Sequence, residues 1–201
     1  MDEHTDEASR ADQPNVTSPL PSGRRVLVLG GSRSGKSRFA EQYFADSELV
    51  TYVATAEDYP GDAEWTARVQ RHRQRRPASW TTVEAGDPAK VLDHAGDGAP
   101  VLIDSVTTWL SRVMTDCGCW AGETRAQAGP RLAASLDALD EAWARTAARA
   151  VAVTDEVGSG IIPESASARW FRDVLGDLNQ RLAARSDEVW LVTAGIPLRL
   201  R

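Results

Sequence analysis

Val26-Leu27-Val28-Leu29-Gly30-Gly31-Ser32-Arg33-Ser34-Gly35-Lys36-Ser37 decides the fold of this chain. Four apolar residues, two of them β-branched, make a strand-sized run that ends in a glycine-rich octet satisfying G-x-x-x-x-G-K-[ST]. Helix-forming residues follow, from Arg38 through Phe44. Strand, glycine loop and helix in that order turn backbone N–H groups and a helix N-terminus toward an anion. Residues Gly30, Gly31, Ser32, Arg33, Ser34, Gly35, Lys36 and Ser37 therefore read as a phosphate-binding loop. Within it, Lys36 is suited to bridge the β- and γ-phosphates of a nucleotide, and the Ser37 hydroxyl to ligate Mg2+.

Working outward, Leu49–Ala54, Val101–Asp104, Ala150–Thr154 and Val189–Thr193 read as further strands. Helices are expected from Asp62, a capping residue, to about Arg76, over the Ala- and Leu-rich Arg131–Ala150, and over Ser165–Ala184. The last carries Trp170, Val174, Leu178 and Leu182 at four-residue spacing. Strand and helix alternate from residue 25 to 194, which predicts an α/β fold with a mostly parallel sheet flanked by helices. One domain is expected over 24–201. Residues 1–23, rich in Asp, Glu, Ser, Thr, Pro and Gly, are expected to be a disordered acidic tail.

The 201 residues carry a formal charge of −6, of which the first 23 contribute −4 and the rest −2. An acidic to neutral balance argues against a general nucleic-acid binder. The longest apolar runs are strand-sized, so no integral membrane segment is expected. The first residues are acidic with no apolar core before Val26, so no secretory signal is expected. The only cysteines, Cys117 and Cys119, are too few for a disulfide framework or a four-ligand zinc site. A reduced, cytoplasmic setting is the expectation.

Three further features carry chemistry. Asp104 closes the strand Val101-Leu102-Ile103, at the edge where open α/β sheets place their sites, and suits a carboxylate that holds Mg2+ with Ser37. A strand-end Asp that caps the next turn would look the same. His72 lies among Arg68, Arg71, Arg73, Arg75 and Arg76, five arginines within nine residues of an acidic chain. A neutral imidazole attacks phosphorus, and guanidiniums neutralise the phosphates it attacks. On a helix, however, His72 shares a face with Trp65 and Val69, so a packed histidine on a solvated basic segment stays open. Asp155-Glu156-Val157-Gly158-Ser159-Gly160 follows a strand, where its acids either face the ligand crevice or are simply solvated.

Taken together, Gly30–Arg38, Tyr52–Ala56, Ala67–Trp80, Leu102–Thr108, Thr154–Glu164 and Asn179–Ala183 resemble the bifunctional adenosylcobinamide kinase/adenosylcobinamide-phosphate guanylyltransferase family of cobalamin biosynthesis. The spacing of His72 to Arg76-Pro77 and the Glu156-to-Glu164 element are more particular than the phosphate loop. The resemblance implies a RecA-like fold, a homotrimer, and two reactions on one chain. Adenosylcobinamide would be phosphorylated with ATP or GTP. GMP would then pass from GTP to adenosylcobinamide phosphate through a guanylyl-histidine at His72, with Lys36 as the other catalytic group. Nucleotide contacts implied by position are Gly31–Arg38, Thr55, Ala56, Glu57, Arg76, Pro77, Ala78, Ser79, Glu84 and Asp104. Relatives often have Asn where this chain has Asp155 and paired histidines where it has Arg71-His72, and Asp104 stands where a relative can have Glu. A phosphate-loop kinase for another small alcohol with no covalent step, or a RecA-like nucleotide-binding module, are the competing readings of the residues themselves.

Overall fold

A computed structural model describes residues 24–45, 47, 49–56, 66–67, 69–70, 73–74, 76–84, 86–120 and 124–201. The tail 1–23, Glu57, His72 and the expected helix start at Asp62 lie outside the described residues. Among the described residues, seven strands form one sheet: β1 Arg25–Gly30, β2 Thr51–Ala54, β3 Thr81–Glu84, β4 Pro100–Asp104, β5 Arg149–Asp155, β6 Glu188–Thr193 and β7 Ile196–Arg199. Among the described residues, helices α1 Lys36–Gln42, α2 Pro88–His94, α3 Val106–Asp116, α4 Arg125–Arg145 and α5 Ala166–Arg185 accompany it. Residues 66–67, 69–70 and 73–74 are also helical.

The strand order is β3-β2-β4-β5-β1-β6-β7. All neighbours are parallel except the β6–β7 hairpin. The expected mostly parallel α/β sheet is thus present, with β5 lying between the phosphate-loop strand and the Asp104 strand. Alternation along β1 divides the core. Val26 and Val28 join Phe39, Phe44, Tyr52, Trp80, Leu102 and Trp190 on the α1 face. Leu27 joins Ile103, Trp109, Leu139, Trp143, Leu175 and Leu178 under α2 to α5. Both faces are covered, which is why the strands read as continuous apolar runs.

Several boundaries differ from expectation. The strand expected from Leu49 begins at Thr51, because Leu49 is 72% exposed and precedes the ladder. The helix expected over Arg131–Ala150 runs from Arg125 to Arg145, and Arg149 and Ala150 already belong to β5. Thr124 and Gln127 form a capping box at its true start. The first helix starts at Lys36 and ends at Gln42, with residues 43–45 in a turn. Strand β3, helices α2 and α3, and the hairpin strand β7 were not anticipated.

Candidate active site

Parallel pairing gathers the chemistry at one edge of the sheet. Gly30 lies beside Asp155, Ala54 beside both Glu84 and Asp104, and Asp104 beside Val153. All but Val153 are the last residues of their strands, at the edge where an open α/β sheet forms its crevice. A cavity of about 320 Å3 opens there, walled by Ser32, Lys36, Ser37, Tyr52, Ala56, Arg73, Arg76, Glu84, Asp104, Asp155 and Glu156 among others.

The phosphate loop is fixed by close backbone contacts. A Cβ on Gly30 would run into Ser34 Oγ and stand 2.6 Å from the Val192 carbonyl oxygen, so only glycine fits. Gly35 has φ 96° and Arg33 φ 58°, both left-handed. Gly195, in the two-residue turn of the β6–β7 hairpin, donates its N–H to the Ser34 carbonyl at 2.8 Å. Ala194 and Gly195 have φ 52° and 80°, the left-handed pair that a tight hairpin turn requires.

Lys36 is 6% exposed. Its Nζ donates to the Gly31 carbonyl at 3.1 Å and pairs with Asp155 Oδ1 at 2.5 Å. Ser37 Oγ donates to Asp104 Oδ1 at 3.3 Å, and the Tyr52 hydroxyl donates to Asp104 Oδ2 at 2.6 Å. Burial first, and the Asp104 charge second, raise the Tyr52 phenol well above its ordinary value of 10.0, so it stays protonated as a donor. The Arg76 guanidinium lies 3.5 Å from the centre of the Tyr52 ring and donates to Thr82 Oγ1 at 3.2 Å. Arg73 pairs with Glu84 at 3.1 Å on the outer wall.

Beneath the cleft, the buried Thr55 hydroxyl accepts from Ser105 N–H at 2.8 Å and donates to the Ser105 carbonyl at 2.6 Å. Ser105 in turn caps α3, with its side chain accepting from the Thr108 N–H. This holds the turn after Asp104 against the end of β2. Ser37 and Asp104 supply adjacent hard oxygens on the cleft side. Among the described residues no group of three or more His, Cys, Asp and Glu could cage a metal ion. That pairing suits Mg2+, which binds through one or two protein oxygens together with phosphates and water.

Seven of the expected residues meet at one cavity. Ser32, Lys36, Ser37, Ala56, Arg76, Glu84 and Asp104 all wall the cleft, with Thr55 directly below. Gly31 and Arg33 are exposed on the loop. Arg38 and Pro77 are elsewhere: they line a second cavity of about 400 Å3 with Glu41, Gln42, Ala45, Arg76 and Trp80. Ala78 and Ser79 are exposed and line neither cavity. Sequence reasoning missed Tyr52 as a cleft residue, named Arg73 only as one of the arginines around His72, and left Asp155 and Glu156 undecided between cleft and solvent. The contacts of Tyr52 and Asp155 depend on strand register and Arg73 sits on a helical segment, although the aromatic at Tyr52 two positions before the strand end was a usable signal.

A solved structure of the assembled ATPase EscN from the type III secretion system of enteropathogenic E. coli shares the fold. The TM-score is 0.52 at 16% identity, covering 86% of this chain and 43% of that one. The chain thus spans less than half of that ATPase. Its core is the RecA-like arrangement that the resemblance implied. In sequence, the chain is 42% identical over 184 residues to the bifunctional adenosylcobalamin biosynthesis protein CobU of Escherichia coli (strain K12), covering 88% of this chain and 99% of that protein. It is 36% identical over 182 residues to the bifunctional adenosylcobalamin biosynthesis protein CobP of Pseudomonas aeruginosa, covering 88% and 97%. The family model for cobinamide kinase / cobinamide phosphate guanyltransferase matches residues 26–200, spanning the phosphate loop, the Asp104 strand and the Asp155 strand alike, and the chain belongs to that family.

Proposed function

We propose that both activities of this bifunctional enzyme, adenosylcobinamide kinase and adenosylcobinamide-phosphate guanylyltransferase, use the one cleft at the carboxyl edge of the sheet. The observation that carries this reading is the convergence of Lys36, Ser37, Asp104, Arg73 and Arg76 on a single cavity. In the kinase step the hydroxyl of the aminopropanol arm of adenosylcobinamide attacks the γ-phosphorus of ATP or GTP, and the nucleoside diphosphate leaves. Phosphoryl transfer needs positioning and charge neutralisation more than covalent chemistry. Loop amides and Lys36 supply the first wall of that neutralisation, and Arg73 and Arg76 the second. Ser37 and Asp104 would hold Mg2+, which offsets charge on the phosphates when bound.

In the second step a ring nitrogen of His72 attacks the α-phosphorus of GTP and pyrophosphate leaves. An oxygen of adenosylcobinamide phosphate then displaces the histidine, giving adenosylcobinamide-GDP. Two in-line displacements at one phosphorus replace a single direct one. Support for this step is the neighbourhood of His72 in sequence: Arg73 and Arg76 both reach the cleft. A homotrimeric assembly and a cytoplasmic setting belong to the same proposal. Among the described residues, no helix is long and apolar enough to cross a membrane.

Incubation with Mg2+ and GTP labelled at the α-phosphate, followed by denaturation, tests the covalent step. An acid-labile, alkali-stable protein adduct that disappears in His72→Ala is expected. If no label is retained while the γ-phosphate still reaches adenosylcobinamide, the chain works as a kinase alone and the covalent reading fails.

A further inference from the structure

The Lys36–Asp155 ion pair has no part in the two reactions as described, yet it ties the lysine of the phosphate loop to the end of β5 on the cleft wall. We infer that Asp155 is a specificity-determining residue: its carboxylate competes with the terminal phosphates of the nucleotide for Lys36. The inference rests on reading Lys36 as a ligand of nucleotide phosphate.

Four observations carry it. The pair is close, 2.5 Å, and Lys36 is almost wholly withdrawn from water, with 7% of its side chain exposed against 22% for Asp155. A buried ammonium requires a counter-charge, so the carboxylate stabilises Lys36 when no phosphate is present. Second, the Asp155 backbone is pinned on both sides. Its N–H donates to Thr107 Oγ1 at 2.7 Å, and its carbonyl accepts from Asn179 Nδ2 at 3.1 Å. Third, Asn179 is itself buried and held by the buried Thr154 hydroxyl at 2.8 Å. Fourth, Asp155 is in direct register with Gly30, the first residue of the phosphate loop. The backbone that carries the carboxylate is therefore fixed when a nucleotide arrives, and any withdrawal is limited to a side-chain rotation beside the loop. On this inference it yields Lys36 and stays close to the phosphates as a like charge.

A lysine of this loop bridges the β- and γ-phosphates, so the cost falls on the ligand with most charge there. Asp155 should thus weaken a nucleoside triphosphate more than a diphosphate, levelling the preference between GTP and GDP. For an enzyme that produces diphosphate in its first step and consumes triphosphate in its second, that levelling acts on the exchange between them.

Equilibrium binding of GTP and GDP, with Mg2+ and without substrate, tests this with Asp155→Asn, which keeps size and removes charge. The GTP dissociation constant should fall by about tenfold or more, and the GDP constant by less. The nucleotide-free protein should at the same time unfold at lower temperature, because Lys36 loses its counter-charge. Asp155→Glu, which keeps the charge, should not tighten GTP binding. A role confined to structure would lower both stability and affinity, and that result, or unchanged GTP affinity in Asp155→Asn, overturns the inference. Asp155→Ser gives the same reading if the Asn variant does not accumulate. Lys36→Ala separates the two layers. Unchanged GTP affinity in that variant removes the phosphate reading of Lys36, whereas lost affinity there without tightening in Asp155→Asn removes the Asp155 inference alone.

Discussion

On one side of the cleft, Lys36 is 6% exposed, Asp104 takes hydrogen bonds from Ser37 and Tyr52, and Gly30 and Gly35 pack against the backbone of β6 and its hairpin turn. On the other side, Arg73 and Glu84 meet at 3.1 Å with 47% and 50% of their side chains in solvent. The two walls face the same 320 Å3 of space but obey different electrostatics. Charges on the inner wall act in a medium where little water competes, and each is held by neighbours. Charges on the outer wall are screened and individually weak. A phosphate is therefore positioned by the inner wall and neutralised from the outer one.

Breaking the inner wall should have the largest effect. Lys36→Ala is expected to lower transfer of the γ-phosphate to adenosylcobinamide by about 10²–10³ in kcat, the scale of removing one preorganised charge donor. Retention of rate within a factor of two or three would place the phosphates elsewhere.

Tyr52→Phe sharpens the comparison at its centre. It removes a hydrogen bond to a charged acceptor, worth about 1.5–3 kcal/mol, and urea unfolding should show that loss. The phenol carries a pH signature as well. Its folded pKa is raised, through burial and then Asp104, above the 10.0 of an unperturbed tyrosine. Its contribution to stability is therefore complete below pH 10 and is lost as pH rises through the folded value. The difference in phenolate absorbance between the parent and Tyr52→Phe should stay flat through pH 10.0 while both remain folded. A step in that difference at the ordinary value would mean that the hydroxyl is open to water.

The outer wall should be the most forgiving. Glu84→Gln breaks a half-exposed pair, and a stability change of about 0.2–1 kcal/mol, diminished by added salt, is expected. A salt-insensitive loss of several kcal/mol would contradict the contrast between the walls.

Legibility in the sequence followed the same division. The inner wall was readable because its constraints are local. Gly30 to Ser37 encode their own backbone path, and Val101-Leu102-Ile103-Asp104 carries its apolar run and carboxylate together. Helix α5 showed its face through Trp170, Val174, Leu178 and Leu182, three of them buried. Strand β3, Thr81–Glu84, has no fully buried residue and pairs on one side only, so no apolar run marks it. Strand β7 contains Pro197 and is likewise an edge, the place where proline is tolerated. Helix α2 was missed despite a usable signal, since Asp87 caps it and Pro88 occupies its first turn. Helix α3 begins with Val106-Thr107-Thr108, a β-branched run of poor helix propensity that the Ser105 cap overrides. The contacts of Tyr52 with Asp104, Lys36 with Asp155 and Arg73 with Glu84 were beyond reach because each joins different elements.

The hairpin turn at Ala194–Gly195 gives the last strand an unexpected place in the chemistry. Through one peptide hydrogen bond to Ser34, a strand at the outer margin of the sheet works as a strut beneath the anion cradle. Mechanical strain applied to that margin reaches the phosphate loop without passing through any ligand-binding side chain. The far edge of the sheet is thus a handle on the nucleotide site.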